Sequence, residues 1–138
     1  MAETFPSSFW TGVDQFNQRQ FYACHDTLEA IWMDSLTSEK NFYQGILQIA
    51  VALYHLGNHN WRGTVTLMGE GIYRLDNFQP SYGDVDVNAL VSASETLLRM
   101  LQEGGAEEIE AIALCLDQAD NTMSYPAITR LSEETLLH

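Results

Sequence analysis

Positive charge is scarce in this sequence. Its 138 residues include six lysines and arginines against nineteen aspartates and glutamates, which gives a formal net charge of −13. Nucleic-acid binding depends on cations that neutralise phosphates, and binding to anionic membrane surfaces depends on the same attraction. We therefore expect neither a nucleic acid nor a membrane as a partner, whereas a basic partner is compatible with this charge.

Cysteines and long hydrophobic runs are also scarce. Cys24 and Cys115 are the two cysteines, and their separation fits neither a zinc knuckle nor a redox pair. The first residues lack the positively charged and apolar regions of a secretory signal, and the apolar run 46–56 is too short to cross a bilayer. We expect a soluble, cytoplasmic protein with reduced thiols.

Apolar residues at helical spacing are abundant instead. Hydrophobic residues make up 46% of the chain, and this length suits one domain with a substantial core. The spacing predicts an all-α fold, a compact bundle of about six helices built from antiparallel helical hairpins. The expected helices cover approximately residues 8–18, 21–33, 38–57, 61–77, 86–102 and 106–119. We expect residues 1–120 to form a single helical domain and residues 121–138 to form an irregular C-terminal tail.

The stretch from Phe42 to Gly57 is the expected centre of the bundle, because apolar residues occupy nearly every direction around it. Within this stretch, Gln44, Gln48 and His55 are the polar residues that share one face of the helix. A polar stripe on a buried helix needs polar partners, since each unpaired buried group costs about 1–3 kcal/mol.

The preceding predicted helix offers the best partners for that stripe. His25 falls inside an apolar face of this helix, and Glu29 follows it by one turn. If the two helices pack antiparallel, His25 lies near His55 or Asn58, and Glu29 lies nearer Gln48. The sequence therefore predicts a buried network of histidine, glutamate and glutamine side chains that is closed to bulk water.

Three kinds of site fit these residues. The network can be structural and fix how the helices pack. It can form a catalytic or small-ligand pocket in which Glu29 orients His25 as a general base, with Trp32 and Tyr54 as walls. A metal site would use His25, Glu29 and His55 as ligands. We expect no cofactor, and the residues leave open whether the protein is an enzyme.

Two segments resemble a known family. The first, FYACHDTLEAIW from Phe21 to Trp32, resembles the HxxxExxW pattern of the domain-of-unknown-function 309 family. The second, YQGILQIAVALYH from Tyr43 to His55, resembles that family's QGxxQxA pattern with a trailing histidine. The resemblance implies a compact all-helical protein and implies no established activity, cofactor or partner. The positions that match its motifs are His25, Glu29, Trp32, Gln44, Gln48 and His55.

The favoured interpretation is a small acidic helical domain, of otherwise unknown function, that acts as a non-enzymatic binding, interaction or structural protein. Its partner would be an unidentified protein or a small molecule, and a homodimer is compatible with the composition. The expected binding or network residues are Trp32, Gln44, Gln48, Tyr54, His55 and Asn58. The alternative is an enzyme, or a small-ligand or metal-binding protein, that acts through His25 and Glu29.

Overall fold

The computed structural model describes residues 5–118 and 125–131 of the chain, and helices account for most of these residues. Within these residues the six α-helices are α1 (Ser7–Asn17), α2 (Phe21–Met33), α3 (Thr37–Gly57), α4 (Trp61–Leu75), α5 (Val87–Gly104) and α6 (Ile109–Asp117). Short 3-10 turns follow α4 at Asp76–Phe78 and precede α6 at Ala106–Glu108. The predicted all-α bundle is confirmed, and α2 has the bounds that its apolar spacing predicts.

Polar side chains in the connections between helices cap the N-termini of two of these helices. The side-chain oxygen of Asn60 accepts a hydrogen bond of 3.0 Å from the backbone N–H of Gly63 at the start of α4. Asp86 does the same at the start of α5, where it accepts from the backbone N–H of Ala89 at 3.0 Å. Each cap satisfies a backbone donor that has no partner within its own helix.

The third helix, α3, is the centre of the fold. It packs against α2 and against α4. Phe42, Tyr43, Ile46, Ile49 and Leu53 are all fully or almost fully buried. Burying one large apolar side chain contributes about 1.5–3 kcal/mol, so this helix is a major source of stability. The predicted burial of this stretch is confirmed.

Two glycines allow α3 and α4 to touch. A Cβ atom built on Gly71 would lie 2.8 Å from the backbone oxygen of Gly45 and 2.7 Å from Cγ1 of Ile49. Glycine inside a helix costs about 1 kcal/mol relative to alanine, and here the close helix packing offsets that cost. Gly63, on the same face of α4, faces the imidazole of His55 at the end of α3.

A small hairpin separates α4 from α5. Ser81–Tyr82 pairs antiparallel with Val85–Asp86. The sequence does not predict these strands, because each has two residues and is too short for an alternating pattern. In the described ranges, no helix combines the length and the apolar character that crossing a membrane requires.

Residues 125–131, which fall in the expected tail, pack against the helical domain. Ile128 is 3% exposed, and its backbone oxygen and N–H both bond the side-chain amide of Asn17, at 2.9 and 2.8 Å. The guanidinium of Arg130 lies 4.0 Å from the ring centroid of Trp10. The expected domain boundary at residue 120, like the rest of 119–124 and 132–138, lies outside the described residues.

Candidate binding groove

A groove follows the surface between α2 and α3, and we call it the α2–α3 groove. It consists of two adjoining cavities of about 240 and 260 Å³ that share His25 and Val51. The first cavity is also lined by Glu29, Trp32, Gln44, Leu47, Gln48 and Leu67. The second is also lined by Phe21, Tyr22, Tyr54 and His55. Trp32 and Tyr54, the expected walls of one pocket, thus lie in different cavities.

The floor of the groove is apolar. Val51 and Leu47 come from α3, and Leu67 reaches the first cavity from α4. At the other end, the exposed rings of Tyr22 and Tyr54 meet edge to face, with 5.3 Å between their centroids. Large aromatic rings beside water, with apolar residues between them, are typical of surfaces that bind partners.

His25 lies between two carboxylates on one edge of the groove. Its Nδ1 is 3.4 Å from Oδ1 of Asp26, and its Nε2 is 3.9 Å from Oε2 of Glu29. The side chains of His25 and Glu29 are 31% and 52% exposed, so the prediction that they are buried is wrong. His25 lies at the margin of the apolar face of α2, where α3 only partly covers it. We call these three residues the acid–imidazole cluster.

Gln48 is buried and has the polar partners that its burial requires, but they come from α4. Its side-chain amide N–H donates to Glu70 at 2.9 Å, and its amide oxygen accepts from Nε of Arg74 at 3.0 Å. Arg74 also donates to the side-chain oxygen of Asn41 at 2.8 Å. Glu29 and Gln48 line the same cavity, as predicted, but the expectation that α2 supplies the polar partners of Gln48 is wrong, because Gln48 also faces the seam with α4.

His55 lines the second cavity together with His25, as expected, but its side-chain hydrogen bond and the backbone hydrogen bonds of Asn58 go to other residues. Nδ1 of His55 lies 3.4 Å from the side-chain amide nitrogen of Asn60, and its ring lines the second cavity. Asn58 is exposed at the end of α3, where its backbone N–H bonds Tyr54 and His55 carbonyl oxygens. The residues of the expected network therefore fall into separate groups: His25 with Asp26 and Glu29, Gln48 with Glu70 and Arg74, and His55 with Asn60.

The expected metal-ligand set is also divided. His25, Asp26 and Glu29 offer ligand atoms that all lie within 4.8 Å of one another, and His55 is not part of that group. Sequence reasoning missed Asp26 as a site residue. Its position directly after His25 was the available signal, but adjacent helical residues point in different directions and do not usually meet.

Nucleophilic catalysis finds little support in this geometry. The lining of the two cavities, as described above, contains no serine, threonine or cysteine. Cys24 precedes His25 but is buried, and burial raises the pKa of its thiol to about 12, so it stays protonated. The 3.9 Å between Nε2 of His25 and Oε2 of Glu29 is longer than a hydrogen bond that would orient a general base.

The fold describes a small, acidic, all-helical domain with an open groove between α2 and α3. Residues 9–67 match the family described as Domain of unknown function (DUF309), and this segment includes both sides of the groove. The match confirms the resemblance that the two motifs indicate, and it covers both of them.

An uncharacterized protein of Bacillus subtilis (strain 168), YpuF, is 33% identical over 70 residues, which are 49% of this chain and 40% of that protein. The chain thus spans less than half of this relative's length. No solved structure matches the chain. Neither the family's description nor the relative's name assigns an activity.

Proposed function

We propose that this protein is a non-enzymatic binding domain whose α2–α3 groove holds an amphipathic helix of a partner protein. One observation carries the proposal: the groove combines an open apolar floor with an acidic edge. An amphipathic helix would cover such a floor with one face and keep its polar face in water.

The shape of the groove favours a helix over a small molecule. Pockets for small ligands enclose most of the ligand surface, whereas this groove is open along its length and leaves Tyr22 and Glu29 more than half exposed. Trp32 follows Tyr22 by ten positions in α2, which corresponds to about 15 Å along the helix axis. A partner helix of about three turns would place apolar side chains in both cavities.

The charge of the groove favours a partner with a basic polar face. Asp26 and Glu29 stand on the α2 edge, and Glu70 stands on α4 beside Gln48. At the Trp32 end the chain supplies its own cation, because Nζ of Lys40 lies 4.5 Å from the ring centroid of Trp32. The His25 end has no lysine or arginine among its lining residues. Complementary charge would therefore act mainly there.

We also propose that this binding takes place in the cytoplasm. Cys24 and Cys115 are both free thiols, and Cys115 is exposed. An exposed free thiol is better suited to a reducing compartment than to an oxidising one, where it would pair or oxidise. A direct check is the location of the full chain fused to a fluorescent reporter.

A titration with a designed peptide tests the groove. The probe is an amphipathic peptide of about 14 residues, made of leucine and lysine, and the control has the same composition in scrambled order. Isotope-labelled protein is titrated with each, and the shifted backbone resonances are mapped. We expect saturable shifts along α2 and α3 with the amphipathic peptide and much weaker ones with the scrambled peptide.

Three variants decide whether the groove is responsible. Val51→Asp places a charge in the middle of the floor and should abolish the binding. Leu114→Asp places the same charge at an exposed apolar residue of α6 and should leave the binding intact. Tyr22→Ala removes an aromatic side chain from the groove at an exposed position, where the core is not disturbed, and should weaken the binding. Binding that survives both Val51→Asp and Tyr22→Ala, or shifts confined to other helices, would contradict the proposal.

A further inference from the structure

We infer that the acid–imidazole cluster of His25, Asp26 and Glu29 binds the guanidinium group of an arginine on the helix that occupies the α2–α3 groove. This inference rests on the proposed function and names the chemical group that the groove selects. It depends on the free acceptor capacity of the two carboxylates, on their having no lysine or arginine partner among the described residues, and on the aromatic rings beside the cluster.

The two carboxylates of the cluster keep free acceptor capacity. Nδ1 of His25 faces Asp26 at 3.4 Å, and its Nε2 faces Glu29 at 3.9 Å. A ring nitrogen offers at most one N–H, whereas each carboxylate has about four acceptor sites. Both carboxylate side chains are more than half exposed, so water occupies their remaining sites, and an external donor of several N–H groups can replace that water.

Two cations beside the groove, Lys40 and Arg74, are engaged elsewhere. Throughout residues 5–118 and 125–131, neither Asp26 nor Glu29 forms a salt bridge with a lysine or arginine. Lys40 lies over the ring of Trp32, and Arg74 bonds Gln48 and Asn41. The carboxylates on this edge of the groove are therefore available to a cation that the occupant brings.

The surroundings favour a guanidinium over an ammonium. A guanidinium presents five N–H donors in one plane and stacks well on aromatic rings, whereas an ammonium is a compact and strongly hydrated charge. The ring of Tyr22 lies 6.1 Å from the imidazole of His25, and Tyr54 lies against Tyr22. An arginine that reaches the two carboxylates from the groove would therefore have an aromatic pair within stacking range.

Three peptides test the inference. All three share the leucine–lysine sequence and differ at one position on the polar face. That position is arginine in the first peptide, lysine in the second and citrulline in the third. Citrulline has the shape of arginine without its charge. Affinities are measured by calorimetry at two salt concentrations. We expect the arginine peptide to bind about fivefold more tightly than the citrulline peptide, with lysine in between, because a partly exposed charged pair with fork geometry is of this modest strength.

A matched pair of protein variants locates the effect. Asp26→Asn with Glu29→Gln removes two charges from the cluster and should abolish the preference for arginine. Glu95→Gln with Glu103→Gln removes two charges from exposed positions of α5 and should preserve it. If both double variants lose the preference for arginine to the same extent, net charge alone attracts the peptide, and the inference is overturned.

The remaining outcomes separate the two proposals. If all three peptides bind equally and Val51→Asp abolishes their binding, the inference fails while the proposed function stands. If none of them binds the groove, both proposals fail.

A Zn²⁺ titration tests whether the cluster binds a metal ion instead of a guanidinium. We expect the arginine peptide to displace any Zn²⁺ from the cluster. Stoichiometric Zn²⁺ that needs Asp26 and Glu29 and resists the peptide would overturn the inference.

Discussion

Replacing Gly71 by alanine tests whether α3 and α4 are held in direct backbone contact. The added Cβ would lie 2.7 Å from Cγ1 of Ile49 and 2.8 Å from the backbone oxygen of Gly45. Ile49 is fully buried and a backbone oxygen cannot rotate away, so the two helices would have to separate. Alanine gains about 1 kcal/mol in helix propensity, while overpacking a core costs about 1–3 kcal/mol and more where backbone must move. We expect the free energy of unfolding to fall by up to about 2 kcal/mol.

Gly69 provides a matched control in the same helix. A Cβ atom built on Gly69 meets nothing within 4 Å, so Gly69→Ala gains helix propensity without a clash. We expect it to raise the free energy of unfolding by about 0.5–1 kcal/mol. Urea unfolding, followed by circular dichroism and tryptophan fluorescence, measures both variants against the unchanged protein. A stabilising Gly71→Ala, or two variants with the same effect, would refute the close contact between the helices.

Three further predictions concern other parts of the fold. Asn17→Ala removes both hydrogen bonds to Ile128, so we expect a loss of about 1–3 kcal/mol in stability and faster amide hydrogen exchange at Ile128. Ser94 has a buried hydroxyl with no hydrogen-bond partner in the described part of the chain, so Ser94→Ala should leave the unfolding midpoint unchanged or raise it. In thiol labelling of the native protein, exposed Cys115 should react quickly and buried Cys24 only after denaturation; two equally fast thiols would contradict the burial of Cys24.

Short-range patterns made much of this fold predictable from the sequence. The spacing of apolar residues determines α2, from Phe21 to Met33, because each turn of a helix repeats the pattern within four residues. Asp86 was predictable as the cap of α5 for the same reason, since a capping side chain bonds a backbone N–H only three residues ahead. The burial of α3 follows from its composition alone.

Features that depend on long-range packing could not be predicted in the same way. Gln48 needs polar partners, but whether these come from α2 or from α4 depends on how the helices cross, which no local pattern records. The bonds between Asn17 and Ile128 join residues 111 positions apart in the chain. The exposure of His25 had a similar origin, because a residue at the margin of an apolar stripe is buried only if the neighbouring helix reaches it.

The distribution of glycine explains why one side of α3 is closed and the other is open. On the α4 side, Gly45 and Gly71 let the two backbones approach until no side chain fits between them. The α2 helix contains no glycine, and it presents His25 and Trp32 to the groove. Side chains of this size keep the axes of two packed helices further apart, unless the neighbouring helix offers a groove into which they fit. The same apolar helix is therefore covered by backbone on one side and left with an open floor on the other, where a partner helix would supply the missing surface.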